Sequence, residues 1–454
     1  MASISGVLER IKCDLEPYLS ASSIYYACEC LGHRYRRRQF DPVATIHLFV
    51  LQILCFNTAL THLRHLARMS MTAAGFCKAR QRLPLAVLQL LLRNSAAAMV
   101  RKCRSRRPAA LWLGLRTWLV DGSSTITPDC PALDKAFGHP SGQKKGCGFP
   151  VPKLLGLFDA YTGLIVELLC FPLFTHEMSQ VSRLHPLLGC GDLLVGDRGF
   201  CSYVHLALLS VRQVAGCFRM HQRQIVSFRA GRKPRGKGQR GKPRSTFIKR
   251  LGLHDQLVRW HKPPRNQKPK WMTDSEYEQL PATLELRELR YCLKGRGRRT
   301  RMVTIVTTLL DPVAYPKERI AELYGVRWQV ETHFGQLKTT LKMRKLKCRT
   351  TVGVQKEMAV YALVYNLVHA IMLKAALGQR VEPDRISFVD SVRWLLSALP
   401  GEAIPKLIVN PRRPDRHEPR VIKDLQDTYR KMTKSRAYLR LHPHWANRKA
   451  SSLS

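Results

Sequence analysis

Tyr324-Gly-Val-Arg-Trp-Gln-Val-Glu-Thr-His-Phe-Gly-Gln-Leu-Lys338 is the stretch on which the fold turns. At about 100° per residue, Tyr324, Arg327, Glu331 and Lys338 fall at about 0°, 300°, 340° and 320° on a helical wheel, a sector about 60° wide. Leu323, Val330, Phe334, Leu337 and Leu341 gather at about 220° to 280°, so the polar stripe borders an apolar face. A merely solvated face is usually mixed Lys and Glu, without a tyrosine and away from the core edge. Trp328, at about 40° on the same wheel, is read as packing beneath the stripe. The pattern predicts a helix from Pro316 to about Arg344. A second helical pattern, from Gly353 to about Leu377, is apolar nearly all round and belongs inside a core.

Upstream, the periodicity shortens to that of strands. Leu111 to Val120 is an apolar stretch that ends at Asp121-Gly-Ser-Ser124, and Leu193-Leu-Val-Gly196 runs into Asp197-Arg-Gly-Phe200. Both aspartates are therefore expected at strand ends, the edge of an α/β sheet where ligands bind. Either one alone reads more readily as an Asp opening a turn. Lys153 to Phe158 and Leu164 to Leu173 flank Asp159-Ala-Tyr-Thr-Gly163 and read as a β-hairpin, so Asp159 is assigned to its turn and left out of any site. Strands leading into helices, such as Tyr203 to Val211, predict an α/β core that resumes at Met302 to Leu310.

The composition sets the partner. Of 454 residues, 76 are Lys or Arg and 32 are Asp or Glu, a formal charge of +44. With 45% apolar residues the chain can bury sizeable cores, which excludes wholesale disorder. The charge points to nucleic acid before an anionic membrane. The apolar run Thr45 to Leu63 is broken by His47, Gln52, Asn57 and His62 and is too polar for a membrane span. No basic, then apolar, secretory start is present, so a cytoplasmic, nucleoid-associated location is expected. The cysteines form no Cys-x-x-Cys pair, and the loose group Cys28, Cys30, His33 matches no zinc module.

Composition shifts divide the chain into a helical region 1–108, a first α/β part 109–218, a basic insertion 219–301, a second α/β part 302–380 and a basic C-terminal region 381–454. Arg101 to Pro108 reads as a linker. Ala59 to Leu83 is compatible with a helix-turn-helix carrying Lys78 and Arg80 on its second helix, and equally with two ordinary packed helices. Phe247 to Leu253, Gln256 to His261 and Leu284 to Leu293 are the candidate strands of the insertion. Trp260 and Trp271 lie there among basic residues, where a ring could stack on an extruded base or simply pack.

The combined pattern Tyr324-x-x-Arg327-x-x-x-Glu331-x-x-x-x-x-x-Lys338, with Asp121 in Val-Asp-Gly-Ser and Asp197 in Gly-Asp-Arg-Gly-Phe, resembles the signature of DDE transposases of the insertion-sequence 4 type. The resemblance spans about residues 40 to 375. It implies an RNase H-like mixed sheet flanked by helices, a helical N-terminal DNA-binding domain, and a β-rich basic insertion between the second Asp and the Glu. It implies that Asp121, Asp197 and Glu331 are the catalytic metal ligands. Three carboxylates supply hard oxygen ligands for two Mg²⁺ ions, or Mn²⁺. Ions about 4 Å apart would activate the attacking oxygen and stabilise the leaving one. Arg327, Lys338, Tyr324 and Arg198 would meet DNA phosphates, and His176-Glu177 either borders the metals or forms a surface turn.

The expected function is metal-dependent cleavage at the ends of a mobile element and joining of a 3′-hydroxyl to target DNA. Two ends demand two active sites, hence a homodimer on double-stranded DNA, with the region beyond Pro400 as dimer interface or DNA surface. The alternatives are an RNase H-like nuclease without strand transfer, and a transposase-derived DNA-binding regulator.

Overall fold

The computed structural model describes residues 19–106, 110–142, 148–234, 244–293, 301–397 and 402–411, with the single positions Tyr438 and Leu441. The basic run 235–243 and most of the region beyond Pro400 lie outside the described residues.

The chain begins with helices α1 (Ala21–Cys30), α2 (Pro42–Leu54), α3 (Leu60–Leu66), α4 (Ala73–Arg82) and α5 (Leu85–Arg106). Each boundary has a local cause. Asp41 caps α2, accepting from the Ala44 amide at 2.8 Å, with Pro42 in the first turn where its missing N–H costs nothing. The apolar run outlasts the helix because Phe56 and Asn57 take left-handed φ values of 56° and 54°. Thr72 caps α4. The stretch read as a linker is helical as far as Arg106, and its Arg104 pairs with Asp159 of the neighbouring hairpin at 2.5 Å, as Arg93 earlier in the same helix does with Glu167 at 2.6 Å.

One nine-stranded sheet follows, in the order β3-β2-β1-β4-β5-β9-β8-β7-β6. Its first five strands are β1 (Arg116–Ser124), β2 (Lys153–Asp159), β3 (Ile165–Phe171), β4 (Asp192–Gly196) and β5 (Ala215–Arg219), with α6 (Pro131–Phe137), α7 (Met178–Val181) and α8 (Tyr203–Val211) between them. β1, β2 and β3 form an antiparallel meander, and β4 and β5 add parallel to β1. This is the mixed α/β, RNase H-like sheet expected. The insertion contributes strands β6 (Thr246–Gly252), β7 (Asp255–His261) and β8 (Thr283–Leu293), with α9 (Asp274–Glu278) between β7 and β8, and β9 (Arg301–Thr307) follows where the second α/β part was expected to begin. They continue the same sheet, because β9 pairs with β5 on one side and β8 on the other.

Alternation along β1 explains the two layers. Leu119 enters a core shared with the N-terminal helices, whereas Trp118 and Val120 enter a second core with α7 and α8. The chain closes with α10 (Lys317–Val326), α11 (Gln329–Gly335), α12 (Thr351–Gln379) and α13 (Phe388–Ser397). Helix α12 is long and apolar enough to span a bilayer, yet most of it is buried against α2, α5 and β3. A helix that is apolar on every side finds its cover in protein.

Candidate active site

The register of β1 creates the site. Its parallel ladder with β4 ends at the pair Val120–Gly196, while its antiparallel ladder with β2 continues through Asp121–Gly156 to Ser124–Lys153. Asp121 is thus inside β1, not at its end as the sequence suggested, but one residue beyond the point where β4 stops. Asp197 follows β4 directly and caps a short turn, accepting from the Gly199 amide at 2.7 Å. Both aspartates therefore flank one notch in the sheet.

Arg327 ties the third carboxylate to Asp121. Its guanidinium donates to Asp121 Oδ2 at 3.2 Å and to Glu331 Oε1 at 3.3 Å. The arginine side chain is 8% exposed, Asp121 17% and Glu331 56%, so the pair grades from interior to solvent. Burial, reinforced by Asp197 and Glu177, pushes the Asp121 carboxyl up to about 6 against the lowering effect of the Gly122 amide and Arg327. Lys338 Nζ donates to Ser123 Oγ at 3.0 Å, and burial lowers its pKa. Tyr324 is buried, and its hydroxyl is held well above the usual phenol range by desolvation.

The single helix expected here is broken twice. Around Arg327 the amides of Trp328, Val330 and Glu331 bond three residues back, at 3.3, 3.1 and 3.2 Å, so α10 and α11 meet through a tightened turn. Residues Gln336–Thr340, which include Lys338, then widen into a π turn, where Leu341 bonds back to Gln336 at 2.9 Å. Gly325, whose carbonyl accepts from the Trp328 amide, lies at the first break. Trp328 is not beneath the stripe: it is 48% exposed, with the Arg327 guanidinium 4.2 Å from its ring centre.

The other predicted residues separate. Arg198 is exposed and hydrogen-bonds Gln222 at 2.8 Å. Lys78 is exposed, whereas Arg80 turns inward, bonding Gln52 at 3.1 Å with Phe49 and Phe76 against its guanidinium. Trp260 is buried, its indole N–H donating to Glu288 at 3.1 Å, and Trp271 packs on the same core. Alternation in β7 turns Trp260 inward, so packing, not base stacking, accounts for it. Asp159 is committed to the hairpin, accepting from Thr162 N at 2.9 Å and pairing with Arg104.

Sequence reasoning passed over one surface. Arg34, Arg36, Arg38 and Arg82 line a cleft of about 640 Å³ between α4 and the loop joining α1 to α2. The loop is held by stacked Tyr25 and Tyr35 rings and by the Tyr25–Asp41 hydrogen bond of 2.7 Å. None of the four arginines has an ion-pair partner among the described residues. The run Arg34-Tyr-Arg-Arg-Arg38 was the available signal.

A family model described as the transposase DDE domain matches residues 113–367, which contain all three carboxylates and the stripe. The chain belongs to the DDE transposase family. It is 25% identical over 336 residues to the transposase InsG for insertion sequence element IS4 of Escherichia coli (strain K12), covering 70% of each chain, which makes this a transposase of the insertion-sequence 4 type. A cryo-EM structure of the piggyBac transposase synaptic complex with hairpin DNA matches with a TM-score of 0.38 and 12% identity, covering 86% of this chain and 79% of that one.

DDE transposases generally use divalent metals. Among the described residues of this transposase, no three acidic, His or Cys side chains form a ready-made metal cluster. The donor set nevertheless fits Mg²⁺, which needs only one or two carboxylates per ion and keeps water or phosphate oxygens for the rest. Asp121, Asp197 and Glu331 supply oxygen donors alone, and Arg327 now neutralises two of them.

Proposed function

We propose that this transposase binds the ends of its insertion sequence, cuts them in a metal-dependent reaction, and joins the freed 3′-hydroxyl to target DNA. The observation that carries the reading is that Arg327 bridges Asp121 and Glu331 at the end of the β1–β4 ladder, where Asp197 directly follows β4. Asp121, Asp197 and Glu331 would hold two Mg²⁺ or Mn²⁺ ions, which when bound supply Lewis-acid stabilisation of the attacking and leaving oxygens.

The chain's own residues do the rest. Arg327 neutralises Asp121 and Glu331 before metal arrives and is then free to take a phosphate oxygen. Lys338, anchored on Ser123, places a cation beside the strand that carries Asp121. Trp328 and Arg198 offer exposed contacts at the rim, and the Arg34–Arg38 cleft with Lys78 offers a phosphate-binding surface outside it. Two element ends require two active sites, so the acting species is a homodimer on DNA in the nucleoid.

The test is incubation of the purified chain with DNA bearing both element ends, with Mg²⁺, Mn²⁺ or EDTA, reading cleavage and joining on gels. Cuts at the boundaries and joined products are expected, and Asp121→Asn, Asp197→Asn or Glu331→Gln should abolish both while leaving DNA affinity nearly unchanged. Residual joining in all three variants would refute the assignment. Cutting without joining would identify a nuclease, and salt-sensitive binding with neither product, in Mn²⁺ as well, a DNA-binding regulator.

A further inference from the structure

A fourth carboxylate reaches the same notch from the opposite face of the sheet. Glu177 opens α7, the short helix that follows β3. Its carboxyl group lies over Gly122, where an added Cβ would stand 2.5 and 2.6 Å from its two oxygens. Asp121 and Gly122 point to opposite faces of the pleat: the first toward Arg327 and α11, the second toward the α7 layer. Such groups are normally separated by the sheet. Here β4 has already ended, so no β4 ladder residue stands beside Asp121 and Gly122.

Electrostatics place the groups close together. Glu177 raises the proton affinity of Asp121, and Asp197 raises that of Glu177, whose pKa is already lifted by burial and lowered somewhat by Lys153 and His176. The Glu177 side chain makes no hydrogen bond or ion pair with another described residue, although Lys153 is near enough to act on it; the amine of Lys153 donates instead to the Thr175 carbonyl at 3.2 Å. A half-buried carboxylate is costly without a partner. Gly122 is the residue that leaves room for it.

We propose that Glu177 is a fourth carboxylate of the metal site, facing the divalent ion held by Asp121 and Asp197 directly or through a bound water. This rests on the reading of Asp121 and Asp197 as metal ligands. It makes the site a bridge across the end of β4, with Glu331 and Arg327 on one side and Glu177 on the other. It also gives Gly122 a reason to be glycine: any side chain would displace the Glu177 carboxyl.

The test is a Mn²⁺ titration of the full chain on pre-cleaved end DNA, reading free Mn²⁺ by electron paramagnetic resonance and subtracting DNA alone. It needs no turnover. Asp121→Asn and Asp197→Asn should remove the protein site, and Glu177→Gln should weaken it by about tenfold or more with an unchanged melting profile. Gly122→Ala should weaken it in the parent but add little in the Glu177→Gln background, because both act on one contact. Parent-like binding in Glu177→Gln, while Asp121→Asn loses the site, would overturn the role of Glu177 and leave the triad standing. A full additional loss from Gly122→Ala in the Glu177→Gln background would overturn the cradle. Parent-like binding in both Asp variants would overturn the triad itself.

Discussion

Replacing Asp121 by Asn should make the metal-free protein more stable at neutral pH. The folded carboxyl is raised to about 6 from its ordinary 3.8, chiefly by burial. A group raised in this way contributes most to stability below its unfolded pKa, and that contribution is lost as pH rises through the folded value. The window is therefore about pH 4 to 6. The difference of about 2 units corresponds to about 3 kcal/mol at pH 7, falling to about 1.6 at pH 5 and about 0.5 at pH 4. Asn retains an oxygen for the Gly122 amide but gives up the charge opposite Arg327, which keeps Glu331. Because the raised value is already net of the Arg327 attraction, Asp121→Asn should stabilise by about 3 kcal/mol at most at pH 7.

The assay is urea unfolding of parent and variant in EDTA from pH 4.5 to 7.5, where the two curves should converge toward low pH. Added Mn²⁺ should stabilise the parent by mass action and leave the variant unmoved, narrowing or reversing the gap. A variant that is less stable at pH 7, or a gap that does not change with pH, would refute the account of Asp121 as a strained carboxylate awaiting a cation.

Two further outcomes follow from named contacts. Replacing Arg34, Arg36, Arg38 and Arg82 together by Ala should weaken DNA binding and flatten its salt dependence by about 0.9 in log–log slope for each phosphate lost. Anisotropy at several salt concentrations reads this, with an unchanged slope counting against the cleft. Arg287 is 1% exposed, bonded to Asp255 at 2.8 Å and to the Tyr315 carbonyl at 2.6 Å, and so ties the insertion to the segment before α10. Arg287→Ala leaves Asp255 buried and unpaired and should cost about 3 to 5 kcal/mol in chemical unfolding, an effect near zero refuting that role.

The sequence by itself determined what depends on local order. The excess of 44 positive charges announced the partner, and the spacing of Tyr324, Arg327, Glu331 and Lys338 placed four side chains on one stripe. Strand periodicity found the β2–β3 hairpin. These features involve residues within a few turns or one hairpin of each other.

Tertiary structure decided what depends on register and on the far side of the sheet. That β4 stops one residue short of Asp121 is a property of two strands more than seventy residues apart, and it opens the notch. Arg80 and Arg82 are neighbours with the same charge, yet packing sends one onto Phe49 and leaves the other in the basic cleft. The tightened turn at Arg327 comes with a guanidinium contact to Asp121 two hundred and six residues away, which no helical wheel contains. By sequence Glu177 could border the site or sit in a surface turn; the fold sets its carboxyl over Gly122, beside Asp121.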